Sequence, residues 1–283
     1  MRPTVSDART RLAVLGKPIT HSKSPGLHLA AYHRLGLDWS YDRIEVDGAG
    51  VGEFVTSRDA SWRGLSLTMP LKYDVIPVLD EIDAVARLTG AANTVLFDDG
   101  RRLGFNTDVG GIVRSLADAG VERARTAIVL GGGATAASAL VALAELGVAH
   151  VHLLLRRPEA GDVLVELGRS VGIRVTPAHI ADLATAAATE AVDVVVSTLP
   201  GGTDAGVAAS EDLVGGALLL DVAYAPWPTP LASQWIAAGG RVIDGSGMLL
   251  HQALLQVRVF VGGDPTVPLP DEADVLAVMR ESL

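Results

Sequence analysis

Short, unbroken apolar runs recur along the chain, each closed by glycine or polar residues, and segments of helical periodicity lie between them. Runs at 12–16 (LAVLG), 126–130 (TAIVL), 151–155 (VHLLL), 192–197 (VDVVVS) and 217–222 (ALLLDV) have the length and β-branched or Leu content of buried strands. Residues 39–46 alternate polar and apolar in part and predict a half-buried strand, and 62–68, 173–177 and 241–244 predict three more. The segments 92–97 and 103–105, separated by Asp98-Asp99-Gly100, predict a β-hairpin. Helices are predicted over 24–35, with Ser24 as N-cap and Gly36 as stop, and over 51–58, 71–79 after Pro70, 109–119, 134–146, 162–171, 231–238 and 248–260.

Continuous apolar strands alternating with helices imply a parallel sheet covered on both faces. The pattern predicts an α/β protein of two α/β domains: 1–108, completed by C-terminal helices in 246–283, and a Rossmann-like domain over 109–245. The Ala-rich stretch 181–191 is the nearest thing to low complexity. Of the 283 residues, 49% are hydrophobic but only 4% aromatic, so Ala, Val, Leu and Gly must fill the interior, which suits helices packed closely on a sheet. The absence of cysteine excludes disulfides, thiolate metal sites and a cysteine nucleophile, and no metal ligand set is read elsewhere. A net charge of −10 argues against a nucleic-acid partner. The N-terminus lacks a signal-peptide pattern, and no run approaches the ~20 apolar residues of a membrane span. A cytoplasmic location with no membrane partner is the expectation.

Candidate chemistry begins at TAIVLGGGATAASAL. Gly131, Gly133 and Ala136 occupy the G-x-G-x-x-G/A positions between a predicted strand and a predicted helix. The first Gly allows the tight turn, the second lets backbone amides approach a pyrophosphate, and Ala136 lets helix pack on strand. The helix N-terminus adds partial positive charge. An NAD site usually carries an acidic residue at the end of the next strand. Here that strand runs into Arg156 and Arg157, which suit a 2′-phosphate and predict NADP, unless Glu159 pairs with one of them.

Four further segments are unusual for a plain scaffold: GKPITHSKSPGLH (16–28), LSLTMPLK (65–72), AANT (91–94) with GFNTDVGG (104–111), and GSGMLLHQA (245–253). Each alone has a bland reading, with Ser24 as a cap, Asn93 and Asp108 as turn formers and Lys72 as a solvated helix residue. In this order, and with DVAYAPWPTPL at 221–231, they resemble the shikimate dehydrogenase family from Gly16 to Gln252. The resemblance implies two α/β domains with the active site in a cleft between them. It also implies NADPH-dependent reduction of 3-dehydroshikimate to shikimate, a step of the shikimate pathway. By the same resemblance Lys72 and Asp108 are the catalytic pair, and Ser22, Ser24, Thr68, Asn93, Tyr224 and Gln252 bind substrate. The cofactor set is Gly131, Gly132, Gly133, Ala134 and Thr135 of the loop, Arg156 and Arg157, and Val222 with Gly245, the last against the nicotinamide end.

Two positions depart from the family pattern. Ser66 stands where Asn is common, which implies that one hydrogen bond to substrate is missing or runs through water. Arg156-Arg157-Pro158 replaces Asn-Arg-Thr, with Arg157 at the family's Arg. Reducing a ketone by hydride builds charge on its oxygen, so a positioned proton donor is needed; Lys72 supplies it, with Asp108 orienting the ammonium and bonding a substrate hydroxyl. Quinate, quinate/shikimate or aminoshikimate-pathway dehydrogenases share the Lys–Asp pair and remain the alternative, followed by a non-catalytic NADP-binding module. A homodimer through an apolar face of the N-terminal domain is compatible with the sequence.

Overall fold

Two six-stranded sheets organise the chain in the computed structural model, which describes residues 10–186 and 190–283. Residues 1–9 of the first predicted domain, and 187–189 of the Ala-rich stretch, lie outside the described residues. The chain divides into two units: one runs to Thr107 and is completed by Ala253–Leu283, and the other is Asp108–Gln252. Among the described residues no helix is long and apolar enough to cross a membrane.

The first unit holds β1 (Thr10–Gly16), β2 (Trp39–Glu45), β3 (Trp62–Leu67), β4 (Glu81–Ile82), β5 (Thr94–Asp98) and β6 (Arg101–Phe105), in the order β2-β1-β3-β5-β6-β4. β1 pairs parallel with β2 and β3, while β5 runs antiparallel to β3 and β6 antiparallel to β5. The predicted hairpin is present, and its two turn residues, Asp99 and Gly100, both have positive φ (47° and 78°). That is the backbone a two-residue turn needs to match strand twist. The helix after the first strand is Ser24–Arg34, and Gly36 (φ 69°) follows its end. Its N-cap is Lys23 and not Ser24, which lies inside the first turn beside Pro25; Ser22 Oγ accepts a hydrogen bond from the Ser24 amide at 3.3 Å. The predicted helix over 71–79 is also shorter, Leu71–Asp74, followed by a 3₁₀ turn at Ile76–Val78. Pro77 has no N–H to continue an α-helical ladder, so the chain tightens to bonds such as Val78 N to Val75 O (3.1 Å).

The second unit holds β7 (Thr126–Leu130), β8 (His150–Leu155), β9 (Arg174–His179), β10 (Val194–Ser197), β11 (Leu218–Asp221) and β12 (Val242–Ile243), in the order β12-β11-β10-β7-β8-β9 with every pair parallel. This is the doubly wound order, which reverses direction between β7 and β10, and open sheets of this kind bind ligands outside the strand ends at that point. β7, β10 and β11 are buried along their full length, as their continuous apolar sequences require. The helix Ala134–Glu145 follows β7, and Ala136, Ala137 and Ala139 are buried to 1% or less. Small side chains there let the helix lie close to the sheet. On the far side Trp235, fully buried, anchors a cluster with Ile128, Val195 and Leu219, and its Nε1 donates to Ala217 O at 3.3 Å. Its one fully buried indole, with partly buried Trp227 packed alongside, fills a cluster otherwise built from aliphatics. β9, an edge strand, extends two residues beyond Pro177, because an edge strand tolerates a residue without an N–H.

Candidate active site

In the first unit the candidate substrate residues gather at one end of the sheet. β1 and β3 run parallel and β5 returns antiparallel, so the chain leaving β1, the chain leaving β3 and the residues entering β5 meet at the same edge. Backbone hydrogen bonds fix them there: Thr68 N donates to Leu15 O (2.9 Å), Lys17 N to Met69 O (3.0 Å) and Leu67 N to Asn93 O (2.7 Å). Gly16 makes the approach possible, since a Cβ on it would lie 2.4 Å from Thr68 Cγ2. Thr68 is half-buried. Lys72, also half-buried, rides on Leu71–Asp74, which is seated by fully buried Leu71 and tied to the strand entry by Ala92 N donating to Lys72 O at 2.9 Å.

Asn93 is buried and its amide is oriented from within. Its Nδ2 donates to Thr107 Oγ1 (2.9 Å), and its Oδ1 accepts from Thr107 N (2.9 Å) and Thr94 Oγ1 (2.9 Å). Ser22 and Ser24 stand at the loop–helix junction after β1, Ser22 half-buried and Ser24 buried, and Arg43 Nε holds the loop by donating to Ser22 O at 2.7 Å. Five candidate residues of this unit, Ser22, Ser24, Thr68, Lys72 and Asn93, therefore lie on three segments joined at one sheet edge.

Ser66, at the position where the family often has Asn, is engaged within the fold. It is buried, receives a hydrogen bond from Tyr41 Oη (2.6 Å) and donates to Gln256 Oε1 (2.7 Å). Gln256 Oε1 also meets His28 Nε2 (3.1 Å), and Gln256 Nε2 donates to Asn93 O (3.1 Å) and Thr94 Oγ1 (3.1 Å). Burial pushes the His28 imidazole down to about 3, against the opposing hydrogen bond with Gln256. His28 is therefore neutral, and Tyr32 Oη, 3.0 Å from its Nδ1, completes its bonding. Sequence reading missed Gln256 altogether, although it lies four residues after Gln252 on the same helix, Ser246–Gly262.

In the second unit the Gly-rich loop follows β7 and precedes Ala134–Glu145, as its motif requires. Gly131 has φ 106°, and a Cβ there would lie 2.4 Å from Thr198 Oγ1, so both conformation and space demand glycine. Gly132 and Gly133 are exposed, nothing lies within 4 Å of a Cβ built on Gly133, and Gly133 caps the helix with no side-chain partner. Ala134 and Thr135 continue into the first turn at the helix N-terminus. The loop thus offers an accessible amide cradle that fits a pyrophosphate. Arg156 and Arg157 are exposed just beyond β8, and among the described residues neither forms an ion pair, with Glu159 or any other acid. Both guanidiniums are available to a 2′-phosphate.

Val222 and Gly245 pack against each other. A Cβ on Gly245 would lie 1.9 Å from Val222 O, and Gly245 N donates to Ala223 O at 3.1 Å. Only glycine permits this approach, which starts helix Ser246–Gly262 directly beside the end of β11. Tyr224, half-buried, sits in a loop pinned at both ends by Asp221: its Oδ1 accepts from Ala223 N (3.2 Å) and its Oδ2 from Thr229 Oγ1 (2.6 Å). Burial raises the Asp221 carboxyl, and hydrogen bonds from Thr229, Ala223 and Ser197 oppose that rise. Thr229 also caps Pro230–Ala237 through Ala232 N (3.1 Å). Asp221 and Thr229 are positioning residues that the DVAYAPWPTPL segment contains without revealing their bond.

Asp108 opens helix Asp108–Asp118 and is buried. Gly111 on that helix faces Gln252, with a Cβ on Gly111 falling 2.8 Å from Gln252 Cβ and 2.9 Å from Met248 O. The glycine lets the two helices cross closely and seats Gln252, whose Nε2 donates to Leu249 O at 2.9 Å.

The chain is similar to known proteins along most of its length. Residues 14–95 match the family model described as the shikimate dehydrogenase substrate binding domain. Over 264 residues the chain is 35% identical to the shikimate dehydrogenase (NADP(+)) of Geobacter metallireducens, covering 90% of this chain and 92% of the relative. The crystal structure of Mycobacterium tuberculosis shikimate dehydrogenase superposes with a TM-score of 0.84 at 41% identity, over 97% of this chain and 100% of that one. The Thermus thermophilus enzyme, solved in complex with NADP(H) and shikimate, gives 0.79 at 29% identity, over 96% and 99%. With a sheet edge built from Gly16, Thr68 and Asn93, a glycine cradle after β7, and relatives matched along almost their full length, the chain belongs to the shikimate dehydrogenase family.

Proposed function

We propose that this chain catalyses the NADPH-dependent reduction of 3-dehydroshikimate to shikimate, and the reverse oxidation, in the shikimate pathway. The observation that carries the reading is the convergence of Thr68, Lys72, Asn93 and the Ser22–Ser24 junction on one sheet edge of the first unit. Short hydroxyls and an amide suit a polyhydroxy carboxylate, and Lys72 supplies an ammonium on the turn that follows Thr68. NADPH supplies the hydride, and the residues of Gly131–Thr135 and Arg157 suit its pyrophosphate and 2′-phosphate. In this reading residues up to Thr107 with the C-terminal helices form the substrate domain, and Asp108–Gln252 forms the cofactor domain.

Lys72 donates its proton to the ketone oxygen as charge develops there, and accepts it back during oxidation. Asp108 orients that ammonium and bonds a substrate hydroxyl, while Tyr224 and Gln252 complete the substrate contacts. Val222 and Gly245 receive the nicotinamide end. The two serines bind the carboxylate. The protein acts in the cytoplasm, and a homodimer through the first unit is proposed as its assembly, to be measured by sedimentation.

One assay tests the activity: purified protein with shikimate or quinate and with NADP⁺ or NAD⁺, followed by the absorbance of reduced nicotinamide. The expected result is fastest turnover with shikimate and NADP⁺. Absence of shikimate-dependent reduction of either cofactor overturns the enzymatic reading, and faster turnover with quinate and NAD⁺ transfers it to the quinate activity.

A further inference from the structure

A cluster of two histidines and a glutamate stands at the end of the second sheet opposite the glycine cradle. His150 and His152 open β8, and the two-residue repeat of a strand puts both rings on one face, with centroids 4.3 Å apart. Glu190 approaches from the segment before β10. His152 Nε2 lies 3.0 Å from Glu190 Oε1, and His150 Nδ1 is hydrogen-bonded to the same oxygen. One ligand atom from each of the three residues lies within 4.8 Å of the others.

We propose that His150, His152 and Glu190 form a binding site for a divalent transition-metal cation of the Zn²⁺ class. Imidazole nitrogen and carboxylate oxygen are the donors such ions take, and three protein ligands leave a fourth position for water. The outer partners are in place as well. His150 Nε2 is held by Thr176 Oγ1 at 2.9 Å, so Nδ1 faces the cluster, and Glu190 Oε2 accepts from Thr126 Oγ1 at 3.1 Å, so Oε1 faces it. Outer hydrogen bonds of this kind fix ring and carboxylate orientation in metal sites. The side chains of His150 and His152 are 10% and 13% exposed while that of Glu190 is 32% exposed, which shields the donors and leaves an entry path.

Thr126 and His150 are the first residues of β7 and β8, whereas Gly131–Gly133 follow the last residue of β7. The metal would clip the approach to β10 onto β7 and β8, a structural role remote from the cofactor loop. The test uses full-length protein without a polyhistidine tag, stripped with chelator and titrated with ZnCl₂ by calorimetry, with thermal midpoints and the visible spectrum of the Co²⁺ form as further readouts. One equivalent of Zn²⁺ is expected, with a raised midpoint and visible d–d bands for Co²⁺. His152→Asn and Glu190→Gln, each checked for native circular dichroism, should weaken binding at least about tenfold and abolish the rise in midpoint. Absence of stoichiometric binding in the wild type, or binding that survives both substitutions and so resides on other histidines, overturns the proposal. Should either variant fail to fold, a Co²⁺ spectrum of the wild type without imidazole-ligated bands overturns it equally.

Discussion

Ser66 gives its only hydroxyl proton to Gln256 Oε1, 2.7 Å away, across 190 residues of sequence. Gln256 in turn supports Asn93, through whose carbonyl β3 is joined to the residues entering β5. A side chain at the position where the family often carries Asn thus works inside the fold. Its hydroxyl is committed on both sides, to Tyr41 and to Gln256.

Ser66→Ala is accordingly expected to cost stability and leave shikimate affinity nearly intact. It strands the buried Tyr41 hydroxyl and removes one donor from Gln256, a loss of about 1–3 kcal/mol. Chemical denaturation should show a lower midpoint with an unchanged slope. A raised KM for shikimate with unaltered stability would mean instead that Ser66 contacts substrate.

His28 makes the same network sensitive to acid. Its imidazole titrates near 3 in the folded protein, against 6.5 ordinarily, because burial disfavours the charged form. The unfolded chain binds a proton below pH 6.5 and the native state does not until about pH 3, so stability falls as pH falls through that window. Across the full window the loss is about 5 kcal/mol. Urea unfolding at several pH values should therefore show a shallower pH dependence for His28→Gln than for wild type between pH 6.5 and 4. Equal slopes would show that His28 is protonated in the native state, or exposed.

Much of the second unit was legible because its strands are buried on both faces and so read as continuous apolar runs ended by glycine; the bounds of β7 are those its sequence predicts. The motif glycines were legible for a related reason, since Gly131 and Gly245 sit where a Cβ collides with Thr198 or Val222. Elements set by a few residues were not. Pro77 cut the helix predicted over 71–79, and Ser24 became part of a helix it was expected to cap. The buried polar web was invisible for a deeper reason: His28, Ser66 and Gln256 are joined only by the fold, across 190 and 228 residues. The His150/His152 pair shows strand spacing, but its carboxylate lies 38 residues beyond His152.

Arg157 should carry the preference for NADP over NAD. It is exposed, and among the described residues it makes no ion pair, so its removal leaves folding untouched. Arg157→Ala is expected to lower kcat/KM for NADP⁺ by roughly 10- to 100-fold, the value of a charged hydrogen bond or two, with little change for NAD⁺. Arg156→Ala, measured beside it, should have the smaller effect, because Arg157 occupies the position of the family's Arg. Equal losses for both cofactors would place Arg157 at the pyrophosphate or the adenine instead.

Lys72→Ala should separate binding from chemistry. The helix that carries Lys72 is seated by Leu71 and followed by Val75, both fully buried, and its link to β5 runs through the Lys72 backbone carbonyl. Truncating the half-exposed side chain therefore leaves the turn in place. An ammonium that transfers its proton as charge builds on the ketone oxygen acts mainly in the transition state, so kcat should fall about 10²- to 10⁴-fold while KM for shikimate moves only a few-fold. Lys72→Arg keeps the positive charge but cannot release its proton near neutral pH, so it should fail almost as completely as Ala. Were Lys72→Arg to retain most of kcat, the side chain would be acting as a fixed charge, and the proton donor would have to be sought among water and the remaining polar groups of the same sheet edge.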